Sequence, residues 1–196
     1  DVKTFTNSSR GVGQLAIRLA PFDALVLIRE RTALPRALLA RLPNLKLVSQ
    51  TGKVSGHIDI DAATELGIAI AEGVGSPVAP AELTWALIMA ASRKIVPYAG
   101  NLKEGLWQTA SINPVLNGLG TVLRGRTLGI WGYGRIGKLV AGYGKAFGMT
   151  VMVWGSEASR AAAEADGFGA AQSRGELFER ADVLTVHLRL SDNTRG

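Results

Sequence analysis

The chain of 196 residues is 47% hydrophobic, carries a formal net charge of +6 and contains no cysteine, which excludes disulfides, thiolate zinc sites and a cysteine nucleophile. Its basic residues are scattered, and the densest stretch, RERTALPR, mixes them with Glu30 and apolar residues, so no nucleic-acid partner is expected; no metal site is assigned either. The longest apolar stretch, Leu83 to Ala91, is broken by Thr84 and too short for a bilayer, and the opening DVKTFTNSSR has no secretory pattern, so a soluble, cytoplasmic protein without a membrane partner is expected.

In chain order, ALVLI (24–28) reads as a strand and LPRALLARL (34–42) as a helix. LKLVS (45–49) follows as a strand, DIDAATELG (59–67) as a helix closed by Gly67, and IAIA (68–71) as a short extended run. Strands alternating with helices predict β-α units and a mostly parallel sheet. In SPVAPAELTWALIMAASRKIV, Ser76 can cap a helix whose stretch from Leu83 to Ala91 is apolar all round, which predicts burial on most sides. NLKEGLWQTASINPVLNGLGTVLRG is richer in Gly, Asn and Pro and reads as a connector. It divides a domain over 1–100 from one over 101–196.

A second alternating series begins with strand TLGIW (127–131), a helix over about 135–147 and strand TVMVW (150–154). A helix ASRAAAEAD (158–166), the segment SRGELFERA (173–181) and strand VLTVH (183–187) complete it. A dinucleotide domain of this type has about six strands, and fewer are visible here. The chain is therefore expected to be the front part of a longer protein.

Between TLGIW and the next helix, Gly132-Tyr133-Gly134-Arg135-Ile136-Gly137 matches GxGxxG. A lone match is weak, but here an apolar strand enters the turn and a helix leaves it. That helix sets Ile136, Val140, Tyr143 and Phe147 on one stripe and meets Gly148 at its end. In this motif the first glycine makes the tight turn, the second lets backbone approach a pyrophosphate, and the third permits close helix–strand packing. The helix N-terminus offers amides and a partial positive charge to the phosphates.

An acidic residue ending the next strand would grip the ribose hydroxyls of NAD. That slot is Gly155, which has no side chain. Glu157 could substitute or be a simple first-turn charge, and Ser156 with Arg160 could hold a 2′-phosphate. NAD and NADP both stay open, with a lean towards tolerance of NADP.

These features, in this order, resemble the D-isomer-specific 2-hydroxyacid dehydrogenases. The matching segments are LKLVSQTGKVSGHIDIDAATELGIAIAEG, SPVAPAELTWALIMAASRKI, LRGRTLGIWGYGRIGKLVAGYGKAFGMTVMVWG and ADVLTVHLRLSDNTRG. The resemblance implies an α/β protein of two Rossmann-like domains with mostly parallel sheets. A flavodoxin-like substrate domain comes first, followed by an NAD(P)-binding domain that is incomplete in this chain. It implies hydride transfer between NAD(P) and C2 of a 2-hydroxy or 2-keto acid, in a cleft between the domains of a homodimer. Arg135 and Ile136 fall where the family's backbone meets the pyrophosphate. The family's Gly-x-Gly loop for the substrate carboxylate keeps Gly52, but Val54 replaces the second glycine and Gly56 the following Asp. Lys53, between them, could pair with a substrate anion or be a solvated loop lysine. Val78 matches a position near the nicotinamide, with simple packing as the other reading.

His187 takes the place of the family's H-x-P, where the chain borders the adenosine, with Leu188 next and Arg189 in place of proline. His57 is expected to be structural, Glu82 to be scaffolding, and Asp59 and Asp61 to be helix N-terminal charges. Arg195 matches a non-catalytic arginine of the family. The family's catalytic Arg, Glu and His are expected downstream of Gly196, so no catalytic residue is assigned here. The competing expectation is a dinucleotide-sensing binding protein, akin to the family's corepressors, without catalysis.

Overall fold

The computed structural model describes residues 1–7, 9, 11–107, 118–189 and 194. The chain divides into two compact units, Asp1–Ser76 and Pro77–Gly196. The division lies ahead of the boundary expected near residue 100. The reason lies in the helix that follows it, whose buried residues Ala81 and Ile88 join the core of the second unit.

The first unit contains helix α1 (Val12–Leu19), strand β1 (Ala24–Leu27), helix α2 (Arg36–Leu39), strand β2 (Leu47–Gln50), helix α3 (Ile60–Glu65) and strand β3 (Ala69–Glu72). Its strands form a parallel sheet in the order β1-β2-β3, with Ala24 opposite Leu47 and Leu47 opposite Ala69. Strand alternation sets which side chains enter the core: Leu25 and Leu27 of β1 are buried, and Val48 and Gln50 of β2. Against them pack Leu15 and Leu19 of α1 and Leu38 and Leu39 of α2.

Helix α2 is shorter than the expected 34–42. Pro35 stands at its N-cap, and the Leu34 amide donates to the His57 carbonyl at 2.7 Å. Past Leu39 the chain tightens into i→i+3 bonds, Arg41 to Leu38 and Leu42 to Leu39, and Pro43 follows. Asp59 caps α3 by accepting from the Ala62 amide at 2.8 Å, and Asp61 lies in its first turn, as expected.

The second unit opens with helices α4 (Val78–Ser92) and α5 (Ile95–Lys103). Strand β4 (Thr127–Trp131), helix α6 (Arg135–Ala146), strand β5 (Thr150–Trp154) and helix α7 (Glu157–Ala165) follow, then strand β6 (Gly169–Ala170), helix α8 (Arg174–Arg180) and strand β7 (Val183–Val186). All its strands are parallel, in the order β6-β5-β4-β7. Among the described residues no helix is long and apolar enough to cross a membrane.

Helix α4 corrects two expectations. It is not buried on most sides: Ala81 and Ile88 are buried, whereas Leu83 and Leu87 are 61% and 62% exposed. One stripe, Ala81, Trp85 and Ile88, carries the packing, and the Trp85 ring lies 4.8 Å from that of Phe147 and 6.0 Å from that of Tyr143. The helix has Pro77 at its N-cap, one residue beyond the Ser76 expected there.

Candidate coenzyme-binding site

Strand β4 is the centre of its sheet, flanked by β5 and β7, and the turn after Trp131 emerges at their carboxyl ends. The Gly132 amide donates to the Trp154 carbonyl at 2.9 Å, and the His187 amide donates to the Trp131 carbonyl at 2.8 Å. These bonds pin the turn to the ends of both neighbouring strands.

The three glycines of the turn are there for different reasons. Gly132 has φ +101, and a Cβ there would stand 2.8 Å from the His187 carbonyl oxygen. Gly137 has ordinary helical backbone, but a Cβ would stand 2.3 Å from the Gly132 carbonyl oxygen. The protein's own packing therefore explains both. Gly134 is different: among the described residues a Cβ there would meet nothing within 4 Å. It forms the N-cap of α6 and, being glycine, has no side chain of its own to cap that helix end. A bare backbone corner in open space, at the positive end of a helix of 12 residues, fits a pyrophosphate.

Tyr133, between the first two glycines, turns its side chain into the protein. It is 4% exposed, its ring lies 6.1 Å from that of Phe168, and its hydroxyl donates to Asp166 Oδ2 at 2.9 Å. Lys138 Nζ reaches the same oxygen at 2.9 Å. Burial and then the bond to Asp166 push the Tyr133 hydroxyl well above the usual phenol range, while Lys138 and Tyr133 hold the Asp166 carboxyl below the usual carboxylate range. Tyr133 thus reaches the site only through its main chain. Arg135 is exposed and Ile136 packs against the core of this unit.

Beyond β5, a Cβ on Gly155 would lie 3.9 Å from Gly132 Cα, so the end of β5 adjoins the turn. Ser156 caps α7, accepting from the Ser159 amide at 3.2 Å and donating to Ser159 Oγ at 3.1 Å. Arg160 lays its guanidinium 4.6 Å from the centre of the Trp154 ring. Beyond β7, the His187 ring shares a 3.0 Å hydrogen bond with Thr185 Oγ1, and burial lowers its pKa. Leu188 and Arg189 are exposed, although the Leu188 side chain would lie 3.0 Å from a Cβ on Gly132. A groove of about 670 Å³ runs beside β7, lined by Leu87, Ile88, Leu123, Thr185 and His187 among others. Val78 begins α4 and is 45% exposed.

The fold thus gathers Gly132, Gly134, Gly137, Gly155, Ser156, Arg160, His187 and Leu188 around the ends of β4, β5 and β7. The residues Gly52, Lys53 and Val54 belong to the first unit, after β2. There the Lys53 ammonium pairs with the Glu72 carboxylate, and Glu72 Oε2 accepts the Val54 amide at 2.9 Å. His57 is held at its two ring nitrogens by Ser55 at 3.0 Å and Gln50 at 3.4 Å. Sequence reasoning did not single out Glu72, nor Arg29, which lies in the turn after β1 with φ +59 and donates its amide to Thr51 Oγ1 at 3.4 Å. A left-handed arginine leaves no mark in a strand pattern, and Glu72 closes an apolar run where a surface charge is unremarked.

Residues 85–196 match the family model described as D-isomer specific 2-hydroxyacid dehydrogenase, NAD binding domain. The chain belongs to this family. It is 39% identical over 161 residues to a glyoxylate reductase of Aeropyrum pernix, an overlap of 81% of this chain and 48% of that protein. It is 34% identical over 183 residues to a D-3-phosphoglycerate dehydrogenase of Methanocaldococcus jannaschii, covering 93% of this chain and 34% of the relative. A crystal structure from Ralstonia solanacearum, provisionally named a D-3-phosphoglycerate dehydrogenase oxidoreductase, is 60% identical with a TM-score of 0.86, and the match covers 100% of this chain and 59% of that one. The chain therefore spans about half the length of the first relative and about a third of the second.

Proposed function

We propose that the protein transfers hydride between NAD or NADP and C2 of a small 2-hydroxy or 2-keto acid. The observation that carries this reading is the contrast within the glycine turn. Gly132 and Gly137 are pressed against protein, whereas Gly134 faces open space at the mouth of α6. In this reading the main chain of residues 132–137, including the Arg135 and Ile136 amides, cradles the pyrophosphate. Ser156 and Arg160 border the adenosine ribose, His187, Leu188 and Arg189 border the rest of the adenosine, and Val78 approaches the nicotinamide. When bound, the nicotinamide supplies or takes up the hydride.

The acid is assigned to the loop at Gly52, Lys53 and Val54. Because Glu72 already engages the Lys53 ammonium and the Val54 amide, an incoming carboxylate competes with this internal one. No catalytic acid–base residue is assigned among the 196. The first unit, extended to about residue 100, is proposed as the substrate domain, and the remainder as the coenzyme domain. A homodimer in the cytoplasm is proposed as the working form. In its favour, large apolar side chains stand exposed on and after α4 and α5, with Leu83 at 61%, Val96 at 71% and Trp107 at 73%.

The test is an assay of the intact protein with glyoxylate, hydroxypyruvate, pyruvate and phosphohydroxypyruvate, following oxidation of NADH and of NADPH. Turnover of at least one acid is expected. Coenzyme binding with no turnover of any acid would contradict the enzyme and favour a dinucleotide sensor.

A further inference from the structure

The ribose end of the site departs from the pattern that suits NAD. A carboxylate at the end of the second strand would hold both ribose hydroxyls. Here β5 ends at Trp154 and the next residue is Gly155. A Cβ on Gly155 would stand 3.2 Å from Ser159 Cβ, so the first turn of α7 crowds any side chain at that point. Glu157 is exposed in that first turn, a position that suits an acid whatever the ligand.

The same turn offers the opposite charge. Arg160 stacks its guanidinium 4.6 Å from the Trp154 ring centre, and among the described residues no carboxylate forms an ion pair with it. Ser156 and Ser159, at the N-cap and in the first turn of the same helix, place two hydroxyls 3.1 Å apart. Stacking on an indole holds the guanidinium in one plane, so little side-chain freedom remains to be lost when it grips an oxyanion.

Resting on the dinucleotide reading above, we propose that Arg160, with Ser156, receives the 2′-phosphate of NADP(H), and that NADP(H) is the preferred coenzyme. The site then selects twice: Gly155 withholds the acid that would favour NAD, and Arg160 supplies the cation that favours the phosphate.

The test is calorimetric titration of the intact protein with NADPH, NADH, 2′,5′-ADP and 5′-AMP. The phosphate-bearing member of each pair should bind roughly tenfold or more tightly, the scale of a charge-assisted hydrogen bond. Arg160→Ala should weaken NADPH and 2′,5′-ADP by roughly 10- to 100-fold and leave NADH within about twofold. Arg160→Lys should recover part of the loss, since it keeps the charge without the fork. Equal losses for both coenzymes in Arg160→Ala would overturn the proposal and reduce Arg160 to a support for Trp154. NADH binding to the unaltered protein as tightly as NADPH would overturn the proposal alone. Failure of all four ligands to bind would overturn the dinucleotide reading as well.

Discussion

The Tyr133 hydroxyl donates to Asp166 Oδ2 at 2.9 Å, tying the glycine turn to the carboxyl end of α7, where Asp166 is the C-cap. Lys138, in the first turns of α6, closes the triangle on the same oxygen and lies 5.2 Å from the centre of the Tyr133 ring. The turn is thus held from below by a buried ring and from the side by a shared carboxylate. Tyr133→Phe keeps the ring and removes only the tether. The expected loss is about 1 kcal/mol, the ordinary net worth of a hydrogen bond, read as an urea midpoint shifted down at an unchanged slope. A variant as stable as the parent would show that the tether does not hold the turn.

Gly137→Ala should cost more. Its methyl would sit 2.3 Å from a backbone oxygen, that of Gly132, which cannot swing aside as a side chain would. Overpacking of this kind costs about 1–3 kcal/mol, and here it would also shift the turn. Circular dichroism melting should show the drop. An unchanged melting temperature would mean that α6 leaves the turn less tightly than described.

His187 sets a pH dependence. Burial lowers its pKa from 6.5, so the unfolded chain binds the proton more readily than the folded one. Stability is therefore complete above the unfolded value and declines as pH falls from about 6.5 towards the lowered native value. Unfolding measured in steps across that window should show the decline, and His187→Gln should flatten it. Stability rising as pH falls through the same window would contradict the burial of the ring.

Glu72→Gln probes the first unit. The Lys53–Glu72 pair lies near the surface, so its loss should change stability by no more than about 1 kcal/mol. The larger effect belongs to the acid, because the variant no longer pits a protein carboxylate against the incoming one. A lower KM for the acids turned over, with kcat little changed, is expected in steady-state kinetics of the intact protein. A raised KM would assign Glu72 to holding the loop in its binding shape.

Local pattern carried the strands and the long helices of this chain, and long-range contact decided the rest. The runs at 127–131 and 150–154 coincide with β4 and β5 because both are apolar strands between plain turn signals. Helix α1 went unread: Leu15, Ala16 and Leu19 form a short stripe, exposed Ile17 blurs the contrast between its faces, and its burial depends on β1 and α2. Helix α5 went unread, and its last three residues fall in the expected connector, since it buries no residue and carries Pro97, Gly100 and Asn101. The apolar surround of α4 suggested burial, but composition cannot show which face finds a partner.

At the site the glycine motif was legible because its spacing is set by local backbone geometry. The partners that tune it were not. Asp166 lies 33 residues beyond Tyr133, and Arg160 meets Trp154 only because α7 folds back over the end of β5. Such pairings depend on how helices return to the sheet, which no window of sequence displays.

The most direct test is the Kd for NADPH and NADH of Gly134→Ala beside its melting temperature. The added methyl meets no atom of the described residues within 4 Å and the backbone has φ −88, so stability should change by no more than about 1 kcal/mol, the scale of an altered N-cap. Coenzyme affinity should fall roughly tenfold or more, because the methyl fills the space through which main chain approaches the pyrophosphate. A stable variant that binds both coenzymes as tightly as the parent would contradict the account.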